Sequence, residues 1–239
     1  MGQTGPWHRL PPSRVTAEVA LRKGMALLDG AHHDDPVTTA WWIVDSDAVV
    51  LGRGSQVEAD AEECIRRGVS VVRRASGGGP VLWGPDLLAL DVVVPRGHPL
   101  HNADVVDSYR WLGEALAAAI TALGVDATAV APEVARTADH SWGPLACYAS
   151  LSPWEATIDG RKVVGLSQVR RRTGTLLQAG IVLAMEAERL PALLALDAET
   201  RAALEQALAT RATGLRAHVR CSPDAVISTV NDVLGDGPG

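Results

Sequence analysis

Val71-Val72-Arg73-Arg74-Ala75-Ser76-Gly77-Gly78-Gly79-Pro80-Val81-Leu82-Trp83 joins two short β-rich runs through three successive glycines. A strand that ends in such a bend needs residues free to adopt positive φ, and bare N–H groups there can approach a flat or anionic ligand. A plain hairpin turn would use the same residues. The stretch is not a P-loop, which requires Gly-Lys-Ser/Thr after its spacer, nor a dinucleotide fingerprint. Arg73 and Arg74 are neighbours on an extended segment, so they face opposite sides and at most one faces a ligand at the bend.

Upstream of the bend, 38–44 and 48–52 read as two strands joined by a tight turn at Asp45-Ser46-Asp47, and 58–67 as a helix stopped by Gly68. A helix over 13–30 has Ser13 as cap and Gly30 as stop. Downstream, 80–83 and 87–94 are strands around Gly84-Pro85-Asp86, and 104–123 is the clearest helix. Residues 127–143 read as loop. The runs 145–150, 154–158, 163–168 and 176–184 read as strands, with Asp159-Gly160 as a hairpin turn. The stretch 187–210 is helical with a break at Pro191, and 215–234 is a short strand and a helix. Strands come in runs and helices in blocks, so the fold class is α+β: a mixed, largely antiparallel sheet with helices packed on it.

The 239 residues suffice for one large domain. With 47% hydrophobic and 21% charged residues, disorder as the main state is excluded. The 14 prolines and 23 glycines disfavour a coiled coil. No apolar run approaches the roughly 18 residues of a membrane span, and the stretch MGQTGPWHRLPPSRV lacks the apolar core of a secretory signal. Lipidation at Met1-Gly2 is disfavoured. Cys64, Cys147 and Cys221 are too far apart for a disulfide framework or a metal cluster, which predicts a reduced, cytoplasmic protein with no metal site. The net charge of −6 argues against nucleic acid as partner, and the run Arg170-Arg171-Arg172 reads as a solvated strand end. Of 22 basic residues only Lys23 and Lys162 are lysines. A chain that writes Arg wherever a cation suffices keeps Lys where a compact ammonium is needed, and this singles out Lys162.

Three stretches together resemble a known superfamily. Arg73-Arg74-Ala75-Ser76-Gly77-Gly78-Gly79-Pro80-Val81 is similar to the lipoate–protein ligase signature Arg-Arg-x-Ser-Gly-Gly-Gly-Ala-Val. Gly52-Arg53-Gly54-Ser55-Gln56 resembles the upstream Gly-Arg-x-x-Gln turn of the same group. Ile158-Asp159-Gly160-Arg161-Lys162-Val163-Val164-Gly165-Leu166-Ser167-Gln168 is similar to the hairpin that carries the family's essential lysine. The resemblance covers about 15–185 and points to the lipoate–protein ligase, octanoyltransferase and biotin–protein ligase superfamily. It implies a class II aminoacyl-synthetase/biotin-ligase-like catalytic domain over 13–185, after an extended lead over 1–12 and before a helical C-terminal extension over 186–239 packed on it.

By that resemblance a medium-length acyl group lies in an apolar tunnel beside the glycine bend. Arg74, Ser76, Gly77, Gly78, Gly79, Pro80, Val81, Leu82 and Gly165 would contact an acyl-adenylate, and Lys162 would stabilise charge developing on its oxygens. Such a ligase uses ATP with magnesium, takes lipoate or octanoate, and modifies lipoyl carrier domains of 2-oxoacid dehydrogenases or the glycine cleavage H protein. A branch of octanoyltransferases instead carries a Cys-aromatic pair where this chain has Cys147-Tyr148. There the cysteine is the acyl-thioester nucleophile, activated by the hairpin lysine, and acyl carrier protein is the donor. Position alone would make Lys162 an exposed hairpin cation and Cys147 a buried strand cysteine. The Ser-Gly-Gly-Gly bend leans toward the ligase, which ranks slightly ahead, and the Cys-aromatic pair leans toward the transferase. Two family histidines are replaced, one by Trp83 and one within Leu177-Gln178-Ala179-Gly180. That motivates a third reading, a non-catalytic acyl or adenylate binder. Trp83 and Trp41-Trp42 read first as plain core; the alternative is that Trp83 narrows or caps the tunnel and Trp41-Trp42 lines it.

Overall fold

The computed structural model describes residues 7–235. The first half of the expected extended lead, the Met1-Gly2 site and the last four residues lie outside them. Eleven strands are described: β1 (His8–Arg9), β2 (Ser13–Val15), β3 (Thr38–Val44), β4 (Ala48–Leu51), β5 (Ser70–Arg73), β6 (Val81–Trp83), β7 (Leu87–Pro95), β8 (Thr128–Ala129), β9 (Ala156–Ile158), β10 (Arg161–Arg170) and β11 (Gly174–Val182). The helices are α1 (Ala17–Asp29), α2 (Ala61–Arg67), α3 (Arg110–Ala122), α4 (Pro132–Thr137), α5 (Ala198–Arg211) and α6 (Pro223–Leu234).

Eight strands form a mixed sheet in the order β1-β3-β7-β11-β10-β9-β8, with β2 also on β3, and the inner pairs are antiparallel. A second sheet has the order β5-β4-β6. This is the α+β architecture expected. All nine residues of β7 are buried, so both faces of the large sheet are covered and its strands read as continuous apolar runs. On the outer face Leu88, Leu90 and Val92 pack against Leu112, Leu116 and Ile120 of α3 and Val226 and Val230 of α6. On the inner face Ala89 joins Trp42, the small sheet and Leu204 and Leu208 of α5. Burying each such leucine stabilises the fold by about 2 kcal/mol. Among the described residues no helix is long and apolar enough to cross a membrane.

Several sequence expectations are corrected. The runs β3 and β4 are not a hairpin, because β3 joins the large sheet and β4 the small one. Every residue of β4 is buried, so it needs cover on both sides rather than a single partner. Helix α1 starts at Ala17 under the cap of Thr16, since Ser13–Val15 is already paired with β3. The carboxylate of Asp104 holds the N–H groups of Val106 and Asp107 in a turn, and α3 starts only at Arg110. The expected loop 127–143 contains β8 and α4. Leu215–Ala217 is a 3₁₀ turn and not a strand, and α5 begins at Ala198, where Asp197 caps it.

Candidate active site

The glycine bend carries the chain from one side of β4 to the other, because β5 and β6 are its two neighbours. Its shape is dictated by close approach. A Cβ on Gly52 would collide with the carbonyl of Gly78, and one on Gly79 with the carbonyl of Gly143. Gly78 itself has φ 94°, which a side chain would strain. The backbone N–H of Arg53 donates to Ser76 O at 2.8 Å, which ties the Gly52–Gln56 turn to the bend.

Arg73 and Arg74 do face opposite sides. Arg73 is exposed and pairs with Glu58 at 2.7 Å. Arg74 is buried and folds back on its own bend: Nη2 donates to Gly77 O (2.8 Å) and Gly79 O (2.9 Å), Nε to Gly77 O, and Nη1 to Val50 O. Burial lowers its pKa, but a guanidinium keeps its charge. Gly77 and Gly78 are exposed, while Ser76, Gly79, Pro80 and Val81 are buried and Leu82 is half-buried.

Cys147 is not on a strand. It opens the 3₁₀ turn Cys147–Ala149, whose first N–H donates to Pro80 O at 3.0 Å. The turn is held from the other side by α5: Arg211 donates to Ala149 O and pairs with Asp139 at 2.6 Å. Lys162 reaches the same turn from β10. The turn Asp159-Gly160, with φ 50° and 72°, and an irregularity in register between Lys162 and Val164 direct its side chain inward. Lys162 is 1% exposed, which corrects the surface-cation reading.

Its ammonium donates to Cys147 O at 2.8 Å and Ser150 O at 3.1 Å, pairs with Glu155 Oε2 at 2.7 Å, and stands 3.7 Å from Cys147 Sγ. Glu155 also accepts from the N–H groups of Ser152 (2.7 Å) and Leu166 (3.1 Å). Burial works to lower the Lys162 pKa, but Cys147 and Glu155 outweigh it and the group is raised. Burial pushes Glu155 up against the pull of Lys162 and of two backbone N–H groups, which give its carboxylate three donors. The Tyr148 ring lies 5.1 Å from the ammonium. Burial raises its hydroxyl well above its ordinary value, so it remains a phenol and donates to Gly180 O at 2.7 Å.

A slot enclosing about 450 Å³, its mouth included, opens beside these groups. Cys147 and Tyr148 stand at one end. Val81, Trp83 and Arg74 cover it, and the inner face of the large sheet is its floor. Trp83 is both part of the core and a lining residue of the slot. Trp41 does not line it: it is on the outer face with its indole on Asn231. Trp42 reaches the floor only through Asp91, to which its Nε1 donates at 2.7 Å. Gly165 on β10 and Gly180 on β11 are direct partners and leave room for the Tyr148 ring. Leu82 instead borders a second apolar pocket, of about 550 Å³ with its open mouth included, beside Leu190 and Leu208.

Sequence reasoning missed Glu155, Asp91 and Gln178 as parts of the site. A signal existed for two of them. Glu155 is the lone charge in 145–158, and Asp91 the lone charge in the apolar run 87–95. Charges in such runs are buried only with partners.

Residues 17–235 match the family model of the lipoyl protein ligase A/B catalytic domain. An octanoyltransferase LipM of Carboxydothermus hydrogenoformans is 33% identical over 168 residues, 69% of this chain and 60% of that protein. A LipM of Kyrpidia tusciae is 37% identical over 139 residues, 57% of this chain and 50% of that one. The chain thus spans about three fifths or less of these curated relatives' length. The archaeal lipoate protein ligase of Thermoplasma acidophilum has the same fold, with a TM-score of 0.77 at 19% identity over 96% of this chain and 82% of that one. A lipoate-protein ligase A solved with bound ATP gives 0.73, also at 19% identity, over 96% of this chain and 84% of that one. With the match running through nearly every described residue, the chain belongs to the lipoyl protein ligase A/B catalytic-domain family.

Proposed function

We propose that the protein is an acyltransferase that carries a lipoyl-type, medium-length acyl group through a thioester on Cys147 to a lysine of a lipoyl carrier domain. The observation that supports this most is how the Lys162 ammonium is used. Its three N–H donors go to Glu155, Cys147 O and Ser150 O, leaving a fixed cation 3.7 Å from a thiol sulfur. Such a cation stabilises negative charge on sulfur without having to reorganise.

The sulfur attacks the carbonyl carbon of a carrier-bound thioester. A new S–C bond forms, and the carrier's thiol leaves with the proton that Cys147 gives up. The acceptor lysine amine then attacks the enzyme thioester, an amide forms, and a proton returns to Cys147. Acyl carrier protein fits as donor, and lipoyl domains of 2-oxoacid dehydrogenases or the glycine cleavage H protein as acceptors. The segment after 185 acts with the catalytic domain in this reading, since Arg211 braces the Cys147 turn and Thr213 N donates to Lys162 O at 2.9 Å.

The ATP-dependent ligase is the second reading, favoured by the exposed backbone of Gly77 and Gly78. Against it, the Lys162 ammonium and all but one of the Arg74 N–H groups are already committed to partners within the protein. Incubation with octanoyl acyl carrier protein, followed by intact-mass spectrometry, tests the proposal. The expected result is an octanoyl adduct that is absent in Cys147→Ser, with transfer to an apo lipoyl domain without ATP. An active Cys147→Ser enzyme with strict ATP dependence would overturn it in favour of the ligase, and ligand binding with no turnover on any carrier would favour the non-catalytic reading.

A further inference from the structure

Two rows of residues cross the floor of the slot. The first is Gly165, Gly180 and Ala89, direct partners on β10, β11 and β7. The second lies two residues further along each strand, about 7 Å away, and consists of Ser167, Gln178 and Asp91. The first row has almost no side chain and sits beneath Tyr148, next to the thiol. The second row is polar although Gln178 and Asp91 are buried and Ser167 is half-buried. Gln178 Nε2 donates to Asp91 Oδ1 at 2.9 Å, and Ser76 of the glycine bend donates to Ser167 Oγ at 3.1 Å and Gln178 Oε1 at 3.4 Å. Among the described residues, the second N–H of Gln178 has no acceptor. Behind Gln178 an open groove carries Glu18, Arg22 and Arg73.

An acyl chain whose carbonyl carbon stands at Cys147 runs over the glycine row and ends at the polar row. A bare alkyl end there would displace water from hydrogen-bonding groups and return no hydrogen bond, whereas a polar end would be recognised. We infer that the acyl group this slot takes carries a hydrogen-bonding function, a hydroxyl, keto or amide, at the end remote from its carbonyl carbon. The inference rests on the acyl-transfer reading above and narrows its substrate class. Buried groups placed to hydrogen-bond a substrate discriminate strongly against an analogue that lacks the partner, because they are then left unpaired.

The full chain is incubated separately with the pantetheine thioesters of octanoate and ω-hydroxyoctanoate, and the rate of adduct formation on Cys147 is read by intact mass. The ω-hydroxy chain should react at least about tenfold faster, and the preference should collapse in Gln178→Met. Asp91→Asn, which keeps size and shape, should reduce it too and serves if Gln178→Met does not fold. An octanoyl rate equal to or above the hydroxylated one overturns the inference and leaves acyl transfer standing. A preference unchanged in both folded variants overturns the assignment to the polar row. No adduct from either thioester removes the acyl-transfer reading, and the inference with it.

Discussion

Glu155, on the Lys162 ammonium beside the thiol, and Asp91, on the floor of the slot, are 1% and 2% exposed, yet only Glu155 has a cation. Lys162 and two backbone N–H groups surround Glu155. Asp91 has only the neutral donors of Gln178 and Trp42, so burial prevails and its carboxyl is pushed up to about 6. Burial pushes both carboxyls up, but the one at the thiol end is held in an ion pair and the one at the far end has no cation beside it. The contrast shows which end can support charge during a reaction. At the thiol end, charge on sulfur meets a cation whose own desolvation is already offset. At the far end any new charge would meet a carboxyl with no cation beside it.

The largest effect should come from breaking the pair. Lys162→Ala leaves a buried carboxylate alone and should cost about 3–5 kcal/mol in urea unfolding. The rate of Cys147 acylation should fall on the order of 100-fold. The double replacement Lys162→Met with Glu155→Leu should regain most of the stability and none of the rate, because two apolar side chains leave no charge stranded.

Asp91 should make stability depend on pH. Its native pKa lies above that of an unfolded carboxyl, so its contribution is fully present below about pH 4 and is lost as pH rises through about 6. A shift of that size corresponds to roughly 3 kcal/mol. Asp91→Asn should remove this slope, and a stability difference between parent and variant that stays flat from pH 4 to 7 would show that Asp91 is not the lone acid described here.

The joint between the two ends can be loosened as well. A Cβ on Gly180 would lie 2.7 Å from the Tyr148 hydroxyl, so Gly180→Ala should cost about 1–3 kcal/mol by overpacking. Tyr148→Phe, which removes one hydrogen bond, should cost about 1 kcal/mol, both read as a fall in Tm. The smallest effect is expected at the surface of α2. There Glu63 lies between Arg66 (2.6 Å) and Arg67 (2.5 Å), whose hydrogen bonds lower it to about 2. Water screens that group, and Glu63→Gln should move neither Tm nor acylation rate measurably.

Much of the frame was legible before any coordinates. The run 38–44 is a strand to the residue, the turn at Asp159-Gly160 has the positive φ values its residues favour, and Gly68 ends α2 in the left-handed region. These are local outcomes, set by the allowed φ/ψ of a few adjacent residues. The bias against lysine likewise drew attention to Lys162 without any neighbour being known. Strand partnership was not legible. The separation of β3 from β4 and the 3₁₀ turn at Cys147 depend on segments about 30 to 65 residues away, including Arg211.

The chain's own letters thus determined where strands, turns and the glycine bend fall, and that an ammonium follows the Asp159-Gly160 turn. Only the tertiary structure decided that this ammonium is buried, that Glu155 neutralises it, and that Asp91 joins Gln178 and Ser167 in a polar row. Backbone preference acts over a few bonds. Desolvation and charge pairing depend on everything within a few ångströms in space, which the order of residues does not reveal until the sheet has closed.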